Sequence, residues 1–214
     1  ASGNMGMEAM AQIMELDCVK KVKLLLLNER RERKYARDCR RKYGQRVEII
    51  FGNLADKAKC RALVKDTDYI LHLAAVIPPL ADHYPKETDE CNRIGTANLV
   101  DCVCEIKENQ PKFVHISTVA IYGNRNYKHP WGRVGDPLIS SVYDDYSASK
   151  IKGERYVLDS DLKYWVVLRQ TGMLHNRMLT NNMKDGLMFH TCFNAPIECV
   201  TARDSGLLLK NLIA

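Results

Sequence analysis

Three side chains with the chemistry for proton transfer stand near one another in the sequence. Tyr146 and Lys150 are four residues apart in the stretch DDYSASK, which is typical of the start of a helix. Residues at this spacing share one helix face, so the phenol and the ammonium can point into one site. Thr118, preceded by Ser117, ends the apolar strand pattern VHIST. We expect that strand to deliver hydroxyls beside the helix, and the three residue types together predict an acid–base centre.

The segments that must position this centre alternate between strand and helix patterns. Strands are predicted over 22–27, 46–52, 68–76, 112–117, 164–169 and 197–200. Helices are predicted after the first glycines, after an N-cap at Asp56, over 88–107, 146–158 and 181–189, and at the chain end behind a cap at Asp204. Several strands are apolar on both faces, so we expect an α/β fold with a doubly wound parallel sheet. Such sheets bind ligands beyond the carboxyl ends of their strands.

A glycine-rich turn opens the chain. Gly3, Asn4, Met5 and Gly6 lead directly into a helical pattern that is rich in methionine. Backbone N–H groups at such a helix start, together with the helix dipole, favour a bound phosphate. The apolar strand 22–27 follows, as in a nucleotide-binding unit, but no strand pattern precedes the first glycine. We therefore expect the sequence to begin inside the motif, with the first strand lying upstream.

The residues that follow strand 22–27 bear on which dinucleotide is bound. At this position an acidic side chain suits the free ribose 2′-hydroxyl of NAD, and a basic one suits the 2′-phosphate of NADP. Asn28 comes first, and Arg30 and Arg31 lie just behind it. The arginines predict an NAD(P) cofactor with a slight preference for NADP, whereas Glu29 favours NAD.

Composition and charge limit the classes of protein and of partner that the sequence is compatible with. The chain of 214 residues, 46% hydrophobic and 27% charged, is typical of a soluble globular protein without a membrane span. Its eight cysteines lack a C-x-x-C pair and its six histidines lack ligand spacing, so we expect a cytoplasmic protein without a metal site. The net charge of +6 is concentrated between Lys20 and Arg46. This segment predicts a solvated helix face or a phosphate contact, and with two tyrosines it does not favour nucleic acid.

Further motifs occur in the order typical of one family. The motifs of extended short-chain dehydrogenase/reductase enzymes, the NAD-dependent epimerase/dehydratase group, resemble GNLAD at 52–56, HLAAV at 72–76, NRIGTANLV at 92–100, STVAIYG at 117–123 and YSASK at 146–150. ASGNMG resembles the end of that family's G-x-x-G-x-x-G turn. The resemblance spans almost the whole chain. It implies a Rossmann-like NAD(P)-binding domain over 1–172 that lacks its first strand, and part of a small substrate-binding region over 173–214.

The resemblance also implies a role for each motif. With the residues named above included, the predicted cofactor contacts are Gly3, Asn4, Met5, Gly6, Asn28, Arg30, Arg31, Asn53, Leu54, Leu73, Ala74, Ala75, Asn92 and Lys150. Tyr146 would be the general acid/base, with Lys150 lowering its pKa and holding the nicotinamide ribose. Thr118 would hydrogen-bond the substrate oxygen while hydride moves between a substrate carbon and the nicotinamide.

Departures from the family pattern narrow the substrate. Val119 and Ala120 follow the strand hydroxyls where sugar-nucleotide 4,6-dehydratases have T-D-E, so we do not expect a 4,6-dehydratase. Gly172 stands where epimerases of nucleotide sugars often carry Asn. The pair Pro78 and Pro79, after the fourth predicted strand, resembles the sequences of the reductase and hydroxysteroid-dehydrogenase branches of the family. We therefore expect an oxidoreductase or epimerase acting on a small carbonyl, alcohol or sugar-nucleotide substrate.

Two other functions stay open at this point. One is a nucleotide-sugar epimerase, and the other is a non-catalytic module that senses NAD(P). The intact pair of Tyr146 and Lys150 argues against the second. The family resemblance also implies a possible homodimer formed through helices beside the catalytic one, and no nucleic-acid or membrane partner is expected.

Overall fold

The computed structural model describes residues 1–125, 130–140, 144–175 and 198–214. These residues form two compact units: the first comprises Ala1–Ser2 and Lys20–Arg169, and the second comprises Gly3–Val19 and Gln170–Ala214. The predicted helix 181–189 lies outside the described residues. The functional division at residue 172 stays a prediction.

Parallel strand pairs form the centre of the first unit. The strands are β1 (Val22–Leu26), β2 (Val47–Phe51), β3 (Tyr69–His72), β4 (Lys112–Thr118) and β5 (Trp165–Gln170). β1 pairs in parallel with β2, and β3 pairs in parallel with β4, which has β5 on its other side. β4 is buried over its last six residues, as expected for a strand covered on both faces. The predicted α/β class with parallel strands is confirmed.

Helices connect these strands and also form part of the second unit. They are α1 (Asn4–Ile13), α2 (Arg30–Tyr43), α3 (Lys57–Val64), α4 (Leu80–His83), α5 (Pro85–Asp89), α6 (Gly95–Cys104), α7 (Asp145–Leu158) and α8 (Ala202–Asn211). A 3₁₀ turn at Gly44–Arg46 precedes β2, and another at Val119–Tyr122 follows β4 directly. One apolar cluster packs α3, α6 and α7 together with β3 and β4 around Leu99, Phe113 and Val157.

The prediction of a single helix over 88–107 is wrong in detail. The chain is already helical from α5, where Pro85 occupies the first turn and needs no hydrogen-bond partner. A π-helical turn at Glu90–Ile94 then separates α5 from α6, which ends at Cys104. The wider turn contains Asn92, whose side chain bonds outside the helix, and π turns often accompany functional residues.

The strand predicted over 68–76 is also shorter than expected. β3 ends at His72, and the small residues after it run without a strand partner. Asn92 takes the place of that partner at Val76: the Val76 N–H donates to Asn92 Oδ1 at 2.8 Å, and Asn92 Nδ2 donates to the Val76 carbonyl at 2.9 Å. A side-chain amide thus satisfies backbone groups that a neighbouring strand would otherwise satisfy.

The second unit is built on two helices. α1 packs against α8, and Gly206 permits the contact because an added Cβ would lie 2.9 Å from the Glu8 backbone. β6 (Gly172–Leu174) pairs in parallel with β7 (Cys199–Thr201). The predicted cap at Asp204 is wrong: Thr201 is the N-cap, and its hydroxyl accepts from the Asp204 N–H at 3.0 Å. Asp204 is the acidic residue of the first turn, where the helix dipole favours it.

The approach of α7 to the π turn generates a stability prediction. A Cβ at Gly153 would lie 2.5 Å from the Asn92 backbone oxygen, which cannot rotate away. Gly153→Ala gains about 1 kcal/mol of helix propensity but should lose about 1–3 kcal/mol by overpacking. We expect a net decrease in the free energy of unfolding in urea. Lys152→Ala, at an exposed position of the same helix, is the control and should change stability little; equal stability of the two variants would contradict the packing.

Candidate active site

The structure brings Thr118, Tyr146 and Lys150 together. α7 begins after the N-cap Asp144, whose Oδ1 accepts the Ser147 N–H at 2.8 Å, so Tyr146 lies in the first turn and Lys150 one turn later. Thr118 ends β4, and its hydroxyl oxygen accepts the Ala120 N–H at 3.2 Å. The same hydroxyl lies close enough to the Tyr146 phenol to lower the pKa of that phenol. The helix spacing and the strand end therefore converge on one point.

Lys150 is almost completely buried. Its side chain is 3% exposed, and Nζ donates to the carbonyl oxygen of Ile116 in β4 at 2.5 Å. Burial lowers the pKa of the ammonium to about 8, against weaker opposing contributions from Cys91 and Glu154. An ammonium carries three donors, so the bond to Ile116 leaves donor capacity for a further hydroxyl.

The pKa of the Tyr146 phenol shifts in the direction opposite to the predicted one. Burial raises its pKa above the usual value near 10, and the charge of Asp144 adds to this. The hydroxyl of Thr118 lowers the pKa of the phenol, but by less than burial raises it. In the chain by itself Tyr146 is therefore protonated at neutral pH, a state that suits a general acid.

Asn92 ties the segment after β3 to helix α7. Its side chain is buried, 1% exposed, and besides the two bonds to Val76 it donates to Ser149 Oγ at 3.0 Å. Ser149 in turn donates to the Tyr146 carbonyl at 2.8 Å. Both N–H groups of the amide and one acceptor position of its oxygen are thus used within the protein, where Asn92 links the Val76 backbone to the helix that carries Tyr146.

The predicted adenosine-ribose residues lie after β1 at the start of α2. Asn28, Arg30 and Arg31 are exposed. Asn28 Oδ1 accepts from Arg33 Nε at 2.8 Å, and Arg31 Nη2 approaches the Ser2 carbonyl oxygen at 3.5 Å. Exposed guanidinium groups at the end of a parallel strand can meet a phosphate.

The residues predicted after β2 and β3 fall into two environments. Asn53 is exposed and its Oδ1 accepts the Ala55 N–H at 3.2 Å, whereas Leu54 packs in the core. Ala74 is exposed, and Leu73 and Ala75 are half-buried just beyond the end of β3. Small side chains there leave the backbone accessible, which is what a closely approaching dinucleotide requires.

The predicted phosphate turn belongs to the second unit. Gly3 is the N-cap of α1 and supplies no side-chain hydrogen bond, and the Met7 N–H donates to its carbonyl at 2.9 Å. Asn4, Met5 and Gly6 form the first helical turn. Their backbone N–H groups have no acceptor within the helix, as expected for an anion-binding helix start.

A pair of buried histidines lies beside Lys150. His72 bonds Thr96 Oγ1 at 2.7 Å through Nε2, and the centroid of its ring is 5.2 Å from that of His115. Burial and the Lys150 charge lower the pKa of both imidazoles, that of His72 to about 3. His115 is 0% exposed, and neither ring nitrogen finds a partner among the described residues; Ser117 Oγ is equally buried and unpaired.

Sequence reasoning missed a second group of buried residues beside this centre. Glu154 stands four residues after Lys150 on α7 and is 0% exposed. Arg169 on β5 forms a bidentate ion pair with it and donates to the Tyr122 hydroxyl at 2.6 Å. The continued four-residue spacing from Tyr146 could have indicated Glu154, but nothing in the sequence pairs it with Arg169.

The sequence model of the NAD dependent epimerase/dehydratase family matches residues 2–174 of this chain. The chain belongs to that family. A curated relative, an uncharacterized membrane protein of Methanocaldococcus jannaschii, is 26% identical over 131 residues, which cover 61% of this chain and 37% of the relative. The chain thus spans little more than a third of the length of that relative. Among the described residues, no helix is long and apolar enough to cross a membrane.

Solved structures with the same fold include members of two reaction types. A double mutant of DesIV, a dTDP-glucose 4,6-dehydratase from Streptomyces venezuelae solved with NAD bound, superposes with a TM-score of 0.78 at 18% identity over 99% of this chain and 69% of its own. The UDP-Glc/GlcNAc 4-epimerase of Campylobacter jejuni superposes with a TM-score of 0.74 at 16% identity, over 97% of this chain and 70% of its own. These likenesses confirm the Rossmann-like fold that family membership implies.

The buried histidines generate a prediction about acid stability. Their pKa values are lowered by folding, so the unfolded chain binds more protons as the pH falls below about 6.5. Stability should be fully present above that pH and fall below it by about 1.4 kcal/mol per pH unit for each histidine that stays neutral. Urea unfolding between pH 7 and pH 5 measures this slope. His115→Phe should reduce it, whereas His83→Phe, at an exposed position, should not; an unchanged slope in His115→Phe would contradict the assignment.

Proposed function

We propose that this chain carries the acid–base centre of an NAD(P)-dependent enzyme that moves hydride between the cofactor and a hydroxyl or carbonyl carbon. The observation that carries the proposal is the convergence of Thr118, Tyr146 and the buried Lys150 at the end of β4. Family membership supports it, because the family is one of NAD-dependent epimerases and dehydratases. The finer assignments below are part of the same proposal.

Tyr146 is the proton donor and acceptor for the substrate oxygen. With its pKa raised by burial, the phenol holds its proton at neutral pH and can give it to a carbonyl oxygen as that oxygen gains charge. In the reverse direction the phenolate takes the proton of the substrate hydroxyl, which becomes easier as the pH rises. Thr118, whose hydroxyl lowers the pKa of the phenol, holds the substrate oxygen near it.

NAD(P), when bound, supplies the hydride acceptor or donor. The residues that would hold it fit such a group. Lys150 has donors left for ribose hydroxyls, and the small residues Ala74 and Ala75 follow β3. Arg30 and Arg31 are placed to favour the 2′-phosphate of NADP.

The substrate is proposed to be a small carbonyl, alcohol or sugar nucleotide. Similar folds act on sugar nucleotides in the 4-epimerase of Campylobacter jejuni and the 4,6-dehydratase of Streptomyces venezuelae, which supports a nucleotide-sugar epimerase as the second candidate. Elimination of water needs an added acid–base pair, and the residues after Thr118 are Val119 and Ala120. A 4,6-dehydratase is therefore disfavoured.

The same proposal places the protein in the cytoplasm and includes a homodimer formed through helices beside α7. The cysteines among the described residues are free thiols, which suits a reducing compartment. A non-catalytic NAD(P) sensor is the candidate of another class. The buried Lys150 argues against it, since a module that only senses the dinucleotide does not require a costly buried charge beside a phenol.

Tyr146→Phe tests the acid–base assignment. The variant keeps the ring and loses only the hydroxyl, so full-length protein should bind NAD(P)H as before while turnover falls about a hundredfold or more. Turnover is measured with a panel of sugar nucleotides and small carbonyls, and cofactor binding by fluorescence titration. Tyr156→Phe is the control, because it removes an exposed hydroxyl from the same helix. Turnover of Tyr146→Phe at the wild-type rate would refute the assignment.

Cofactor preference is a separate test. Wild-type protein should bind NADPH more tightly than NADH in fluorescence titrations, because the start of α2 presents arginines to the ribose. Arg31→Ala should weaken NADPH binding about tenfold and leave NADH binding nearly unchanged. The matched control is Arg40→Ala, which removes an exposed arginine farther along α2. Tighter binding of NADH by the wild type would refute this preference.

A further inference from the structure

A single guanidinium connects the catalytic helix to the turn that follows the catalytic strand. Arg169 on β5 directs Nε and Nη2 at the two carboxylate oxygens of Glu154 on α7, with 3.3 Å between Nε and Oε2 and 2.5 Å between Nη2 and Oε1. Its Nη1 donates to the hydroxyl of Tyr122 at 2.6 Å. Glu154 is 0% exposed and Tyr122 is 8% exposed, so these bonds lie inside the protein, where they are strongest.

On the helix side, the bridge fixes the rotation of α7 about its axis. Tyr146, Lys150 and Glu154 occur at four-residue intervals and share one face. A bidentate pair between a carboxylate and a guanidinium is directional as well as strong. Holding Glu154 therefore holds the direction in which Tyr146 and Lys150 project.

On the strand side, the bridge fixes the 3₁₀ turn Val119–Tyr122, which starts at the residue after Thr118. The Tyr122 ring has the guanidinium carbon of Arg169 5.1 Å from its centroid and that of Arg125 5.0 Å from it. A Cβ added at Gly132 would lie 2.4 Å from the same ring, so the loop before α7 also packs on it. A turn of four residues transmits a displacement of Tyr122 directly to Thr118.

We propose that Arg169 and Tyr122 are positioning residues that hold Thr118 within hydrogen-bonding reach of Tyr146. The inference rests on the proposed function, which gives Thr118 and Tyr146 their catalytic roles. Arginine is required because its planar fork serves Glu154 and Tyr122 at once, whereas a lysine ammonium cannot span both acceptors with the same geometry. Neither positioning residue is assigned a contact with substrate or cofactor.

Tyr122→Phe tests the bridge, because it removes one hydrogen bond and keeps the ring, the ion pair and the core volume. If the turn loosens, kcat should fall about tenfold or more with little change in KM, since misplacement by about 1 Å can cost a hundredfold. The control is Tyr156→Phe, which removes a hydroxyl that donates to Asp101 at the same distance of 2.6 Å on the outer face of α7. Its kcat should equal that of the wild type.

A second readout needs no substrate and separates the bridge from the proposed function. Carbon-13 labelling of the tyrosine ring carbon that bears oxygen reports each phenol by NMR, and the signal absent from Tyr146→Phe identifies Tyr146. Thr118 lowers the pKa of that phenol, so its titration should move to higher pH in Tyr122→Phe and in Arg169→Lys, but not in Tyr156→Phe. Unmoved titration in the first two variants would overturn the bridge, even if their thermal stability falls. Undiminished turnover in Tyr146→Phe would overturn the proposed function and leave this result standing.

Discussion

The ammonium of Lys150 is the constraint on which the rest of the structure depends. Removing a charge of this size from water costs several kcal/mol even after relaxation, and here the bond to the Ile116 carbonyl compensates only part of it. The remaining cost appears as the lowered pKa of the group. On the same helix, Gly153 and Ser149 let α7 pack closely against the π turn at Asn92.

The surroundings of this charge divide into two buried groups with different physics. Behind Lys150, His72 and His115 stay neutral, because burial and a neighbouring cation both oppose protonation. Farther along α7, Glu154 stays buried only because Arg169 meets it with a bidentate pair. Between these groups the phenol of Tyr146 keeps its proton at neutral pH, because burial raises its pKa.

Much of the fold and of the candidate site was predictable from the sequence wherever a local rule decides the structure. The four-residue spacing of Tyr146 and Lys150 and the N-cap at Asp56, whose Oδ1 accepts the Ala58 N–H at 2.9 Å, follow from helix geometry. The errors arise where a distant side chain overrides the local pattern. β3 ends at His72 and Asn92 bonds Val76 in place of a strand partner, and no periodicity in residues 68–76 records that partner. The Arg169 bridge likewise depends on tertiary pairing, and the rise in the phenol pKa depends on burial that a sequence does not display.

A crystal structure of the full-length protein with oxidised NAD(P) tests the central claim most directly. The account predicts a nicotinamide ribose hydroxyl within about 3 Å of Lys150 Nζ, and the nicotinamide ring beside Thr118 and the Tyr146 hydroxyl. A nicotinamide bound away from Lys150, with the ammonium bonded to the Ile116 carbonyl alone, would contradict the assignment of this centre.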